Sequence, residues 1–255
     1  MGIIGGMTDA DVFDVAERQE HIAESRRRMP GPSYYKVLEW IHRAVEPANY
    51  LEIGIRKGMS LGAALEETKC VGVDPAPMVK REFPNTFIYA LTSDAFFADE
   101  DVDEVMGGPV ELAFIDGLHL FEQVVEDFRN VEAHSAAGSI ALFHDTLPLD
   151  AVTAGRERVT DFYSGDVWKA VMAIRRLRPD LDMVTVPAAP TGLTLVRGLD
   201  PGDRLIAERT DEIVGEYMEL PFSYFEANRA DMPPEIPNTE EAVRDWLARS
   251  PAPAA

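Results

Sequence analysis

Between residues 49 and 177 the chain alternates short apolar runs with longer amphipathic segments. The apolar runs have the length and composition of buried strands: "NYLEI", "CVGVD", "TFIYAL", "VELAFID" and "GSIALFHD". The amphipathic segments predict helices: "SLGAALEE", "LFEQVVEDFRNVEA" and "DVWKAVMAIRRL". Strands that alternate with helices predict an α/β fold, a doubly wound parallel sheet with helices on both faces.

The two ends of the chain show different patterns. Residues 8–29 predict a charged helix, "MPGPS" interrupts it, and a second helix capped by Ser33 follows. Residues 182–198, "DMVTVPAAPTGLTLVRG", predict two strands joined by a Pro/Gly turn, hence an antiparallel hairpin at the sheet edge. Residues 201–218 predict a helix, and an aromatic patch, "FSYF", and a Pro-rich acidic tail follow it.

We therefore divide the chain into three parts of one domain. Residues 1–46 form an N-terminal helical cover, residues 47–200 form the core, and residues 201–255 form the C-terminal helix and tail.

Charge narrows the range of partners. Asp and Glu number 45 against 24 Lys and Arg, a formal net charge of -21, which disfavours nucleic acid and anionic membrane surfaces. The single cysteine, Cys70, excludes an intrachain disulfide and is expected to be buried. No apolar run is long enough to span a bilayer and the N-terminus lacks a secretory pattern, so we expect a cytoplasmic protein.

Polar residues follow every predicted parallel strand. In an open parallel sheet, ligands bind beyond the carboxyl ends of the strands. The residues found there include Glu52, Gly54, Gly58 and Ser60; Asp74; Thr92, Ser93 and Asp94; Asp116, Gly117 and His119; and His144, Asp145 and Thr146. A carboxylate at all five strand ends is more than helix capping alone explains.

The loop after the first strand narrows the choice of cofactor. Asp74 lies twenty residues after Gly54 and can accept both hydroxyls of a ribose, which fits NAD and other nucleosides alike. The loop reads E-x-G-x-x-x-G-x-S, without the third glycine of a dinucleotide loop. Glu52 would repel a pyrophosphate and suits a ligand with positive charge, such as an ammonium or a sulfonium.

Several of these segments resemble a known family. "LEIGIRKGMS" resembles motif I of class I S-adenosylmethionine-dependent methyltransferases, and "VGVD" resembles their second motif. "FIDGLHLFEQVVEDFRNVEAHSAAGSIALFHDT" resembles a subgroup, the small-molecule O-methyltransferases of the macrolide-sugar and antibiotic-tailoring type. The resemblance covers roughly residues 35–198 and implies a Rossmann-like, mainly parallel seven-stranded sheet that ends in the antiparallel hairpin.

The resemblance also implies roles for individual residues. Glu52 would orient the methionine end of the cofactor, and Gly54 and Gly58 would let it lie against backbone. The full cofactor-binding set carried over is Glu52, Gly54, Ile55, Arg56, Gly58, Ser60, Asp74, Ser93, Asp94 and Asp116.

The acceptor side is expected around three further groups. Asp116, His144 and Asp145 are candidate ligands of a divalent cation such as Mg²⁺, although a histidine suits a softer ion better. Without a cation, His119 or His144 would serve as general base beside Asp116. His21, His42 and His134 are expected to be structural. Trp168, Tyr163 and the "FSYF" patch could line an acceptor pocket or belong to the core.

The sequence thus favours a methyltransferase that transfers a methyl group from S-adenosylmethionine to a hydroxyl of a small molecule, a sugar or natural product. Two alternatives stay open: an NAD-dependent oxidoreductase on a similar sheet, and a non-catalytic cofactor-binding member of the fold. A divalent cation and a homodimer are also left open.

Overall fold

A seven-stranded sheet forms the centre of the protein. The computed structural model describes residues 14–249, and within them the strand order is β3-β2-β1-β4-β5-β7-β6. The strands are β1 (Asn49–Ile53), β2 (Lys69–Val73), β3 (Thr86–Tyr89), β4 (Val110–Ile115), β5 (Ser135–His144), β6 (Asp182–Val186) and β7 (Leu193–Arg197). β1 to β5 pair in parallel, and β7 runs antiparallel to both β5 and β6. The expected doubly wound sheet with a C-terminal hairpin is confirmed.

Helices cover both faces of this sheet. They are α1 (Val15–Arg28), α2 (Tyr34–Val45), α3 (Ser93–Asp99), α4 (Val102–Met106), α5 (Phe121–Ala133), α6 (Val167–Leu177), α7 (Leu205–Tyr217), α8 (Phe222–Ala227) and α9 (Glu240–Ala248). No helix in residues 14–249 is long and apolar enough to cross a membrane. Residues 8–13 of the first predicted helix and residues 250–255 of the predicted tail lie outside the described part of the chain.

Alternating residues of the strands point into two separate cores. On β1, Leu51 and Ile53 face the core shared with α5 and α6. Tyr50, the residue before Leu51, faces the core shared with α2 and α9. This period of two explains why the strands read as continuous apolar runs: both faces of the sheet are buried.

The predicted helix at residues 60–67 is wrong. Only a 3₁₀ turn, Ser60–Ala63, lies between β1 and β2. Gly62 lies inside the segment and Gly58 two residues before it, and glycine is a poor helix former. The space on that face is filled by α2, since Leu61 packs in the same core as Leu38.

Four helices were not predicted from the sequence: α3, α4, α8, which was read as an aromatic patch, and α9. Thr92 caps α3 by accepting from the Ala95 amide, and Asp101 caps α4 by accepting from the Glu104 amide. α9 lies in the segment read as a tail, where Thr239 caps it. A capping residue followed by an acidic first turn was the available signal in α4 and α9.

The ends of β1 and β4 approach each other very closely. The Asp116 amide donates to the Ile53 carbonyl at 2.8 Å. Gly54 has φ +89°, and a Cβ on it would overlap the carbonyl oxygen of Asp116. The glycine is therefore required by the packing of two strand ends, whatever ligand binds above them.

Gly54→Ala should lower the free energy of unfolding by about 3 kcal/mol or more, because the new methyl group meets backbone that cannot move aside. Gly108→Ala is the matched control: its φ is also positive, +144°, but nothing lies within 4 Å of the added Cβ. We expect the control to lose only about 1 kcal/mol. Urea denaturation measures both, and equal losses would show that the close approach is unimportant.

Candidate active site

A cavity of about 860 Å³ opens at the carboxyl ends of the parallel strands. Its walls come from the loops after β1, β2, β3, β4 and β5, together with the start of α2 and the segment 156–163. Eight of the ten residues predicted to bind cofactor line it: Gly54, Ile55, Arg56, Ser60, Asp74, Ser93, Asp94 and Asp116. His119, His144 and Asp145 line it as well.

Glu52 and Gly58 are the two residues of the predicted cofactor-binding set that do not line the cavity. Glu52 is fully buried, and its two carboxylate oxygens accept hydrogen bonds from the hydroxyls of Tyr50 and Ser60. A Cβ on Gly58 would face Val79 and Phe83. Glu52 therefore holds the Ser60 hydroxyl from the buried side of the cavity wall, because its side chain lies on the same face of the sheet as that of Tyr50.

The electrostatic argument from Glu52 also changes. Burial raises the pKa of Glu52 to about 8, although the hydroxyls of Ser60 and Tyr50 both donate to it. In the ligand-free chain Glu52 is therefore largely neutral at pH 7. It offers no full negative charge to a cationic ligand in that state.

Asp74, which follows β2, holds the loops after β1 and β2 at one end of the cavity. One carboxylate oxygen accepts from the Arg56 amide at 2.7 Å and the other from the Ala76 amide at 2.7 Å. Arg56 adopts φ 39°, and this bond holds its amide towards Asp74. Each carboxylate oxygen retains acceptor capacity, so Asp74 can also receive hydroxyl donors from the cavity.

Ser93 and Asp94, at the start of α3, line the same cavity as Asp74. The side-chain nitrogen of Gln123 on α5 lies 2.9 Å from Asp94 Oδ1 and 3.3 Å from Ser93 Oγ. Its third acceptor is Asp127 Oδ1, at 3.0 Å. Gln123 was not predicted, although it lines the cavity and lies on the predicted helix that follows His119.

Two carboxylates and two imidazoles form a compact cluster on the opposite side of the cavity. His144 Nδ1 lies 3.0 Å from Asp116 Oδ1 and 3.2 Å from Asp145 Oδ2. His119 Nδ1 lies 3.0 Å from the same oxygen of Asp145. Thr191 donates a hydrogen bond to the other oxygen of Asp145. The sequence predicted that these strand ends would converge, and Thr191, from the turn before β7, is an addition.

The charges in this cluster stabilise one another. Burial disfavours the ionised form of Asp145, but the charges of His144 and His119 outweigh it and hold the pKa of Asp145 well below its usual range. Burial likewise opposes protonation of the imidazoles, yet Asp145 and Asp116 raise the pKa of both His119 and His144. Burial raises the pKa of Asp116.

The two imidazoles differ in exposure. The side chain of His119 is 25% exposed, whereas that of His144 is 7% exposed. Each lies near a tyrosine from outside the sheet: Tyr34 has its ring centroid 4.0 Å from that of His144, and Tyr163 is stacked 5.7 Å from His119. Tyr34 opens α2 and was not singled out from the sequence, where "SYYK" directly follows the Pro/Gly break.

The other aromatic candidates divide between cavity and core. Tyr163 lines the cavity, the first of the two places, acceptor pocket or core, that the sequence left open for it. Trp168 is buried and packs against Phe225, so it and the "FSYF" patch belong to the core and do not line the cavity. The described C-terminal segment therefore contributes no wall residue to the cavity.

The three remaining histidines lie away from the cavity lining. His42 is buried beside Tyr50, His21 lies near Phe162, and His134 ends α5 next to Asp103. His134 follows the last residue of the helix, at the cap position, whereas the other two are on helices.

Comparison with known proteins finds a family model that matches part of the chain. Residues 51–146 match a family model described as "Methyltransferase domain". We refer to this matched stretch as the methyltransferase domain. The methyltransferase domain runs from β1 to the residue after Asp145, so it contains both strand-end carboxylates of the cluster. The resemblance found in the sequence is confirmed, and the family match favours it over an NAD-dependent oxidoreductase.

Similar solved structures extend over most of the chain. Cofactor-bound Rv0187 from MTB has a TM-score of 0.49 and 16% identity, over 73% of this chain and 91% of that one. SAH-bound PaMTH1 of Podospora anserina, a methyltransferase, has a TM-score of 0.46 and 17% identity, over 77% and 99%. TomG, the O-methyltransferase of Streptomyces achromogenes involved in Tomaymycin synthesis, in complex with SAM, has 0.45 and 16%, over 74% and 92%.

These TM-scores and identities are low, so the likenesses carry no argument about what the methyltransferase domain binds here. No curated protein sequence matches the chain.

Glu52 gives the methyltransferase domain a stability that depends on pH. Its pKa is raised above the ordinary 4.5 to about 8, so the folded chain holds a proton that the unfolded chain releases. The contribution is complete below about pH 4.5 and is lost as pH rises towards 8. The free energy of unfolding should therefore fall by a few kcal/mol, roughly 4 at most, between pH 5 and 8, relative to Glu52→Gln.

Urea denaturation of both proteins across this pH range tests the effect. Since every other titrating group is shared, the difference curve isolates Glu52. A difference that stays constant with pH would show that the carboxyl group is ionised in the folded chain.

Proposed function

We propose that the protein is an S-adenosylmethionine-dependent O-methyltransferase that acts on a hydroxyl group of a small molecule, such as a sugar or another natural product. The observation that carries the proposal is the cluster of Asp116, His119, His144 and Asp145. It faces the same cavity as Asp74, at the end of the sheet where the methyltransferase domain places its strand ends.

The cavity suits a nucleoside at one end. Asp74 can accept ribose hydroxyls, and Ser93, Asp94 and Gln123 offer polar atoms next to it. A volume of about 860 Å³ is large enough for a nucleoside bearing an amino acid together with a small second molecule. When bound, S-adenosylmethionine supplies a methyl group on a positively charged sulfur.

His119 is the residue best placed to take the acceptor's proton. It faces the cavity, and Asp145 holds its Nδ1, which leaves Nε2 directed elsewhere, 3.7 Å from Asp116. The imidazole would accept the O–H proton of the acceptor as its oxygen takes up the methyl group that the cofactor would supply. A raised pKa makes His119 a stronger proton acceptor once it is neutral.

The cluster favours a hydroxyl over an amine as acceptor. A neutral amine already has a free electron pair and needs no base in order to attack. A hydroxyl is a weak nucleophile until its proton is removed or its oxyanion is stabilised. A site that brings two imidazoles and two carboxylates together therefore fits O-methylation.

The same residues fit a divalent cation. Asp116, His144 and Asp145 each offer one ligand atom, and these atoms lie within 4.8 Å of one another. Asp145 Oδ2 is buried, and its neighbours are the Nδ1 atoms of His119 and His144, at 3.0 and 3.2 Å, which a cation would displace or join. A cation held there would stabilise a bound alkoxide or phenolate.

The acceptor side is closed by residues outside the methyltransferase domain. Tyr34 and Tyr35 come from the N-terminal part, and Arg156, Arg158 and Tyr163 come from the segment after β5. We include this segment and the start of α2 in the acceptor site. The net charge of -21 argues for a neutral or cationic acceptor over a nucleic acid.

Calorimetry with S-adenosylhomocysteine tests the cofactor assignment. We expect a micromolar Kd for the native protein, and Asp74→Ala should weaken binding about 10- to 100-fold through lost hydrogen bonds to a charged group. Asp101→Ala is the control, since it removes an acid that caps α4 outside the cavity lining. Tight binding of NAD with none of S-adenosylhomocysteine would overturn the proposal.

Methyl transfer to a panel of glycosides, phenols and amines tests the acceptor side. His119→Ala should lower the rate about 10²- to 10⁴-fold, the usual value of general base catalysis. His134→Ala is a matched control, because His134 also pairs with an aspartate, Asp103 at 3.1 Å, but lies outside the cavity lining. Equal rates for both variants would remove His119 from the reaction.

Chelation separates the two ways of activating the hydroxyl. If a cation acts, EDTA should abolish turnover and a divalent ion should restore it, whereas a histidine acting alone is insensitive to EDTA. Transfer to amines alone, under either condition, would contradict the assignment of an O-methyltransferase.

A further inference from the structure

The turn that carries His119 has no cap of its own. It connects β4 to α5, and His119 adopts φ 62°, a conformation that side chains other than glycine rarely take. Leu120 occupies the N-cap position of α5, and its apolar side chain accepts no hydrogen bond from the first turn. The conformation of this turn must therefore be fixed from outside.

We propose that Asp166 is a positioning residue that holds His119 in place. Its Oδ1 accepts a hydrogen bond from the Phe121 amide at 2.9 Å, which caps α5 from a segment 45 residues further along the chain. Its own amide donates to the His119 carbonyl at 3.2 Å. Asp166 thus holds the backbone on both sides of Leu120. The geometry is independent of the proposed function, but the catalytic importance of His119 rests on that function.

Gly165 makes this approach possible. It has φ +60°, and a Cβ on it would overlap the carbonyl oxygen of His119. The backbone of the segment before α6 therefore lies directly against the His119 turn. Any larger residue at position 165 would push the two apart.

The anchor itself is firmly held. Asp166 is 1% exposed, and its Oδ2 lies 2.8 Å from Arg156 Nη1 and 3.1 Å from Lys169 Nζ. Lys169 also donates to the Met218 carbonyl at 2.8 Å, and Arg156 also pairs with Glu122 on α5. A buried carboxylate with both oxygens bonded in this way keeps one position.

The same segment reaches the imidazole ring directly. Tyr163, two residues before Gly165, is stacked on His119 with an angle of 16° between the rings. Tyr163 and Arg156 both line the cavity. The segment from 150 to 166 therefore forms part of the acceptor wall and also fixes the backbone and ring of the candidate base.

Nuclear magnetic resonance of the ligand-free protein, with EDTA present and at one fixed pH, tests the proposal without an acceptor. Asp166→Ala should abolish the nuclear Overhauser effects between the His119 and Tyr163 rings. Asp166→Asn keeps an oxygen for the Phe121 amide, so it should retain them, even though Arg156 and Lys169 lose their charged partner and the protein becomes less stable. If Asp166 had only a structural role, the nuclear Overhauser effects between the two rings would weaken in both variants in proportion to the loss of folding stability. That result would overturn the proposal.

A measurement on the native protein covers the case in which Asp166→Ala does not fold. Amides in the first turn of a helix usually exchange rapidly because they lack a helical partner. The Phe121 amide should instead exchange at least about 100-fold more slowly than in an unfolded chain. Unprotected exchange at Phe121 would contradict the cap.

The affinity for S-adenosylhomocysteine separates this inference from the proposed function. We expect its Kd to change less than about twofold in Asp166→Asn, because Asp166 lies outside the cavity lining. Normal binding with ring signals that Asp166→Ala leaves unchanged would remove the positioning role alone. Changed ring signals in a protein that never binds S-adenosylhomocysteine would keep the positioning role and remove the function.

Discussion

The pairing of two strand-end carboxylates with two imidazoles is the interaction on which the site depends. Asp116 and Asp145 follow neighbouring strands, β4 and β5, so the sheet itself brings their backbones together. Two ionised carboxylates on neighbouring strand ends repel each other unless positive charge lies between them. His144 lies within 3.2 Å of both, and His119 lies 3.0 Å from Asp145. The sheet places the two carboxylates near each other, and the imidazoles offset the repulsion between them.

Segments on either side of the methyltransferase domain complete the arrangement. Tyr34 covers His144, and the segment around Asp166 fixes His119 through backbone and ring contacts. The family match ends at residue 146, before both Tyr163 and Asp166. The end of the cavity around Asp74 is therefore built mainly by the domain, whereas the proposed acceptor end also takes Tyr34, Arg156 and Tyr163 from outside it.

The sheet and the residues at its edge were predictable from the sequence because buried parallel strands produce continuous apolar runs and leave polar residues where they end. Eight of the ten predicted cofactor residues line the cavity for this reason. The direction of a side chain was harder to predict. Glu52 is the residue before the last of β1, and only its contacts with the hydroxyls of Tyr50 and Ser60 show that its side chain is buried on one face of the sheet. The 3₁₀ turn after β1 packs against α2, a helix that precedes β1 in the chain. The hydrogen bond between Asp166 and Phe121 joins positions 45 residues apart. Such contacts leave no periodic trace in the sequence.

A crystal structure of the protein with S-adenosylhomocysteine is the most direct test of the central claim, that this cluster faces the transferred methyl group. We expect the ribose hydroxyls to donate hydrogen bonds to Asp74 and the sulfur of the ligand to point towards Asp116, His119 and His144. A nucleoside bound elsewhere, or a sulfur that points away from these three side chains, would contradict it.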